Sequence, residues 1–184
     1  MAESRPALRR RLRAARRSVP AAARASAAAA IDRALARLGL PRPGTRLSAF
    51  HPFDGEIDPG TVLRRARALG CSVYFPVVTS LRARRMRFLA PADQGGGTIS
   101  PRWLDLVLVP LVGFDPRGHR LGMGAGLYDR HFEFLHHRRA WQRPLLVGVA
   151  FEAQKVARLE ESTHDVRLHG VVTEGGVYGR IAGR

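Results

Sequence analysis

Apolar residues recur at helical spacing near the N-terminus and then gather into short runs separated by glycine and proline. Leu8, Leu12 and Ala15 share one helical face, Pro6 suits a first turn, and Pro20 sets a limit. A first helix is therefore predicted to run to about Val19. A second is predicted from Ala22 to Leu38, stopping at Gly39, with a turn at Pro41 and Pro43. Leu47 to Phe50 reads as a short strand. Asp58 and Pro59 open a helix that carries Val62, Leu63, Ala66 and Leu69 and ends at Gly70. Val73 to Pro76 is predicted as a strand, and Met86 to Leu89 as an edge or hairpin strand. Gly95, Gly96 and Gly97 read as a flexible connection. Leu104 to Val109 is a strand, and a helix begins near Gly126 and carries Tyr128, Phe132 and Leu135. Leu145 to Phe151 and Gly170 to Thr173 complete the pattern. Alternating strands and helices imply an α/β fold: a three-layer α/β/α single domain over residues 1–184, with a mostly parallel central sheet. No internal repeat or linker divides the chain.

Composition narrows the class. With 184 residues the chain can bury a substantial core. No apolar run is long enough to span a membrane. The lone cysteine, Cys71, excludes an intramolecular disulfide and a cysteine-based zinc site, so a reducing cytoplasm is expected. The formal net charge of +16 raises nucleic-acid binding as one reading. Yet all but one of the 31 basic residues are arginine, the exception being Lys155, and alanine is abundant. That pairing resembles a coding bias spread along the chain, joined to a polyanionic small-molecule substrate. The Arg-rich and then Ala-rich start could pass for a transit peptide. Arg24 and Asp32 argue against a secretory signal, and two amphipathic helices explain the region more simply.

The chemistry concentrates in Arg120-Leu121-Gly122-Met123-Gly124-Ala125-Gly126-Leu127-Tyr128-Asp129-Arg130, after the strand at Leu104 to Val109. Three alternate glycines expose backbone N–H groups that suit phosphate oxygens. Arg120 and Arg130 add positive charge, and Asp129 is a candidate metal ligand. The loop ends in no Gly-Lys-Ser/Thr, and its third glycine comes one residue early for a dinucleotide fingerprint. It reads as a nucleotide-phosphate and Mg²⁺ site, with a tight structural turn as the competing reading. His131, His136 and His137 read as exposed helix residues, and Trp103 and Trp141 as packing residues.

The run from Asp105 to Arg130 resembles the signature of the 5-formyltetrahydrofolate cyclo-ligase family, also called methenyltetrahydrofolate synthetases. Arg5-Pro6-Ala7-Leu8-Arg9 is similar to that family's N-terminal Lys-x-x-Leu-Arg element, and Gly55-Glu56-Ile57-Asp58 to its substrate motif. Gly148 to Gln154, His164-Asp165 and Val171 to Glu174 resemble its C-terminal segments. The resemblance implies ATP- and Mg²⁺-dependent conversion of 5-formyltetrahydrofolate to 5,10-methenyltetrahydrofolate, with ADP and phosphate released.

It also implies roles. Arg5, Arg9, Arg120, Leu121, Gly122, Met123, Gly124, Ala125, Gly126, Leu127 and Tyr128 would bind ATP. His51, Glu56, Met123, Gly124 and Leu127 would contact the folate, which could carry a polyglutamate tail. Asp129 and Asp165 would hold Mg²⁺, and Arg120 and Tyr128 would act in catalysis. The implied protein is a cytoplasmic monomer with no membrane or nucleic-acid partner. Three departures stand out. Arg5 replaces a lysine, Leu127 stands where the first of two tyrosines is common, and Ala125 replaces a glycine or lysine. Pro91 to Gly97 also occupies an interval where a Gly-Ile-x-Glu-Pro segment is usual. A basic RNA-binding module, or an ATP-dependent enzyme with another acceptor, remain open alternatives.

Overall fold

A computed structural model describes residues 3–137, 143–163 and 165–181. Trp141 and His164 lie outside these residues. Helix α1 (Arg5–Arg17) starts where Ser4 Oγ accepts from the Ala7 N–H, and it buries Leu12 and Arg16. Helix α2 (Ala21–Arg37) buries Ala27, Ala28, Ile31 and Leu35. It closes when the N–H groups of Gly39 and Leu40 donate back to Ala36 and Leu35. Strand β1 (Arg46–Ser48), helix α3 (Gly60–Ala68) and strand β2 (Ser72–Ser80) follow. Next come β3 (Arg85–Leu89), β4 (Thr98–Ile99), β5 (Leu106–Pro110), β6 (Gly113–Phe114) and β7 (Arg120–Leu121). Helix α4 (Leu127–Phe132), β8 (Leu145–Val149), β9 (Gly170–Thr173) and β10 (Gly176–Gly179) complete the order.

Eight strands form one sheet in the order β10-β9-β8-β5-β1-β2-β3-β4, and β6 pairs with β7 separately. The five strands from β9 to β2 run parallel, β3 and β10 run against them at the two sides, and β4 pairs antiparallel with β3. Strand β5 shows why the layers form. Leu106 and Leu108 pack with Ile31 and Leu35 of α2 and Val62 of α3. Val107 and Val109 point the other way, toward Phe132, Phe134 and Leu168. Both faces are covered, so β5 is an unbroken apolar run. Helix α1 docks through Leu12, Val112, Leu121 and Leu159. Gly113 permits this approach: a Cβ there would lie 2.3 Å from Leu12 Cδ1.

Several expected boundaries shift for local reasons. The strand expected to reach Phe151 stops at Val149, because Gln154 Oε1 accepts from the Phe151 N–H at 2.9 Å and starts a 3₁₀ turn at Glu152–Gln154. The helix after Gly126 gives way to a 3₁₀ turn at Glu133–His137, which carries Leu135. Strand β2 runs four residues past Pro76, paired to β3 as a hairpin. The Gly95 region forms a closed turn, with the Ala90 N–H donating to Gly97 O at 2.8 Å. Trp103 is no packing residue: it is 64% exposed. His131 is half-buried, because its Nε2 accepts from the Met86 N–H at 3.1 Å and its Nδ1 meets Leu127 O. No helix among the described residues is long and apolar enough to cross a membrane.

The β6–β7 hairpin turns on Asp115, which is 0% exposed. Its carboxylate accepts from the backbone N–H groups of Arg117, His119 and Leu159 and from the Arg117 guanidinium, and it meets His119 Nδ1. Burial pushes this carboxyl up, but these donors outweigh burial and hold it at about 2, below its ordinary 3.8. The charged form is therefore favoured by folding. Its stabilisation is complete above pH 3.8 and is lost as pH falls through about 2. Urea midpoints measured between pH 2 and 5 should fall on acidification by an amount worth about 2 kcal/mol. An Asp115→Asn variant should be less stable at neutral pH and show a flatter acid limb; an unchanged limb would refute the assignment.

Candidate active site

The carboxyl end of β5 leads into the β6–β7 hairpin, and β7 delivers the glycine loop. Gly124 and Gly126 have φ of 102° and 64°, a region that side chains with a Cβ adopt only under strain. Gly122, Met123 and Gly124 are at least partly open to solvent, whereas the Leu121 side chain is buried. Helix α1 supplies one flank, since Arg9 Nε donates to Gly122 O at 2.9 Å. The Arg9 guanidinium carbon lies 3.7 Å from where a Gly124 Cβ would stand. The hairpin between β2 and β3 supplies the other flank: Arg84 Nη1 is 3.8 Å from the corresponding Gly126 position.

Behind the loop, Asp129 is shared. Its Oδ1 accepts from Arg120 Nη2 at 2.5 Å and from the Val166 N–H at 3.0 Å. Arg120 Nη1 donates to Val166 O, so the guanidinium is buried and bidentate to two elements. Asp165, next in the chain to Val166, receives Arg5 Nη2 at 3.5 Å and the Ser162 N–H at 3.3 Å, both on Oδ2. The two expected metal-ligand carboxylates are thus brought to one strip of structure. Among the described residues, Asp129 Oδ2 and Asp165 Oδ1 have no hydrogen-bond partner. Oxygen donors of this kind suit a hard cation such as Mg²⁺ that takes its remaining ligands from water and phosphate, although among the described residues no three His, Cys, Asp or Glu side chains gather as a metal site. Asp165 also borders a cavity of about 500 Å³ lined by His119, Leu135, Val166, Leu168 and His169. Neither Glu56 nor the glycine loop lines it.

The opposite wall comes from the segment after β1. His51 stacks on Phe75 with ring centroids 4.3 Å apart, and Phe53 is 70% exposed. Asp54 turns the chain at φ 54° while Arg13, Arg16 and Arg17 converge on its carboxylate. Burial raises the Asp54 carboxyl, but the three guanidiniums prevail and hold it well below the carboxylate range. Glu56 follows, with Oε1 3.3 Å from Arg16 Nη1 and Oε2 accepting from the Phe53 N–H at 3.1 Å. Burial pushes the Glu56 carboxyl up, opposed by that N–H and by Arg16. Tyr128 feels the charge of Glu56 and of Arg120. Burial first, then the Glu56 charge, pushes its hydroxyl well above the ordinary range, opposed by Arg120. The hydroxyl therefore stays protonated and able to donate.

The expected residues fall into two groups. Arg5, Arg9, Arg120, the glycines, Asp129 and Asp165 gather around the glycine loop; His51 and Glu56 form the other. Leu127 is half-buried and packs in part on the cluster that holds Phe132. The interval 90–99 builds β4 against β3, and Gln94 Oε1 accepts from the Val73 N–H at 2.9 Å. Sequence reasoning missed Arg16, Asp54 and Asp115. A signal for Arg16 was available: Arg5, Arg9, Leu12 and Arg16 recur at spacings of four, three and four.

The family model described as the 5-formyltetrahydrofolate cyclo-ligase family matches residues 1–174. A 5-formyltetrahydrofolate cyclo-ligase of Escherichia coli K12 is 32% identical over 148 residues, covering 72% of this chain and 79% of the relative. The protein of that name from Mycolicibacterium smegmatis is 31% identical over 176 residues, covering 86% and 87%. A solved 5,10-methenyltetrahydrofolate synthetase from Mycoplasma pneumoniae superposes with a TM-score of 0.79 at 22% identity, covering 94% of this chain and 99% of the other. The Aquifex aeolicus counterpart gives 0.75 at 23% identity, covering 98% and 94%. These two show the same fold, a mixed α/β structure on a large, mostly parallel sheet. With the match running from the first residue to Glu174, through α1, the glycine loop and β9, the chain belongs to the 5-formyltetrahydrofolate cyclo-ligase family.

Proposed function

We propose that this protein uses Mg²⁺-ATP to convert 5-formyltetrahydrofolate into 5,10-methenyltetrahydrofolate, releasing ADP and phosphate. The observation that carries this reading is the glycine loop held between Arg9 and the Arg120–Asp129 pair. The loop N–H groups and Arg9, with Arg5 beyond, bind the ATP phosphates. Met123, Ala125 and Leu127 contact the ligands through the loop between those N–H groups. Glu56 accepts hydrogen bonds from the folate ring, with His51 alongside. Mg²⁺, held by the free oxygens of Asp129 and Asp165, would neutralise phosphate charge. The protein's contribution is then position and charge rather than covalent chemistry.

The steps balance. The formyl oxygen attacks the γ-phosphorus, and the bond to the bridging oxygen breaks to release ADP. The formyl carbon now carries a phosphate, a far better leaving group than hydroxide. N10 attacks that carbon, the C–O bond breaks, phosphate departs, and N10 gives its proton to water. Tyr128 donates a hydrogen bond to the phosphate oxygen that departs as the C–O bond breaks, and Arg120 orients Asp129 while placing positive charge beneath the loop. We take the protein to be a single-domain, cytoplasmic, monomeric enzyme with no nucleic-acid partner. The packed Leu127 and the β4 wall favour one competing reading, the same ATP chemistry on another acceptor.

An assay with 5-formyltetrahydrofolate and Mg²⁺-ATP should show the methenyl chromophore rising in step with ADP. ATP binding without folate binding would favour the other acceptor. Asp129→Ala should lower kcat/KM by roughly a hundredfold or more while the protein remains folded. Unaltered turnover would overturn the metal assignment. Gly124→Ala, which forces a Cβ onto a φ of 102°, should raise the KM for ATP about tenfold and cost about 1–2 kcal/mol of stability. An unchanged KM would show that the loop does not touch the nucleotide.

A further inference from the structure

Helix α1 presents Arg5, Arg9, Leu12 and Arg16 along one face. The first two reach the glycine loop and Asp165; the last reaches the folate-side segment. Arg16 is 0% exposed, so its guanidinium cannot touch a bound substrate. Each of its three nitrogens nevertheless donates. Nε donates to Asp54 O at 3.1 Å, and Nη2 donates to Asp54 Oδ2 at 2.8 Å. Nη1 donates to Leu111 O at 3.2 Å and to Glu56 Oε1 at 3.3 Å. Leu111 immediately follows β5, the strand that leads toward the glycine loop. One buried cation therefore fixes the turn at Asp54, the Glu56 carboxylate and the end of the central strand together. The Glu56 side chain keeps 12% exposure, so an edge of it reaches solvent.

We propose that Arg16 is a positioning residue for the reaction, holding Glu56 in place for the folate ring and tying that carboxylate, through α1, to the nucleotide-side arginines. This inference rests on the cyclo-ligase reading. A lysine at position 16 would keep the charge but lose the fork, so it cannot serve Asp54, Leu111 and Glu56 at once.

Arg16→Lys should raise the KM for 5-formyltetrahydrofolate about tenfold while leaving the KM for Mg²⁺-ATP within about threefold. Because Arg16 acts through Glu56, the losses in an Arg16→Lys, Glu56→Gln double variant should not multiply; the second change should add less than about twofold. A folded Arg16→Lys protein with an unchanged folate KM, equal rises in both KM values, or multiplying losses would each overturn the proposal. The unmodified chain supplies a test that needs no variant to fold. 5-Formyltetrahydrofolate alone should slow amide exchange at residues 12–17 as well as 53–57. Protection confined to the cleft lining, with none along α1, would also refute the proposal. Failure of the unmodified protein to bind this folate at all would refute the cyclo-ligase reading itself. That result differs from binding without transmission to α1.

Discussion

The carboxylate of Asp129 is the constraint on which the rest of the site depends. One oxygen ties Arg120, at the start of the glycine loop, to the Val166 N–H, in the segment that precedes β9. The loop's two left-handed glycines make it a poor structure in isolation. It holds its shape because both ends are fixed: Arg120 lies under one end and Phe132 is buried against Phe88 and Phe134 beyond the other. The arrangement uses one Asp129 oxygen for structure and leaves the other free. A single residue thus joins the fold to the proposed metal chemistry.

The excess of positive charge acquires a structural meaning in this setting. With 15 acids against 31 basic residues, each carboxylate is in demand. Asp54 gathers three arginines, Asp105 accepts from both Arg46 and Arg143, and Asp115 organises a hairpin. Such hubs are buried or half-buried, where a charge without partners would be costly and a well-donated one is tolerated. Arginines left over near the loop, Arg9 and Arg84, flank a surface of backbone donors. A positive field of this kind would favour a polyanionic ligand.

Much of this was legible in the sequence, and the reason is locality. Strands β5, β8 and β9 lie in the sheet centre with both faces covered, so their apolar runs persist without interruption. The helix stops follow from glycine and proline chemistry a few residues away. By contrast, β6, β7 and β4 are two residues each, too short to carry a period. They exist because Asp115 ties the β6–β7 hairpin to Leu159 and because β4 pairs with β3. Trp103 was misjudged because size suggests burial, whereas its position on a surface 3₁₀ turn decides the matter.

The site divides along the same line. The glycine loop announces itself because its chemistry is contiguous, and Arg9 and Asp165 came only with the family resemblance. Arg16 stayed hidden for a more instructive reason. Its spacing from Arg5 and Arg9 marks a shared helix face, but a chain this rich in arginine offers many such coincidences. What selects Arg16 is the left-handed turn at Asp54, which aims a carboxylate and a carbonyl at one buried fork. Aspartate tolerates that backbone conformation better than most residues with a Cβ. Three guanidiniums on its carboxylate then hold the turn against the cost of burying charge. The position of Glu56 is thus set by a turn, a helix and a strand end that are far apart in the sequence, and no local pattern could have contained it.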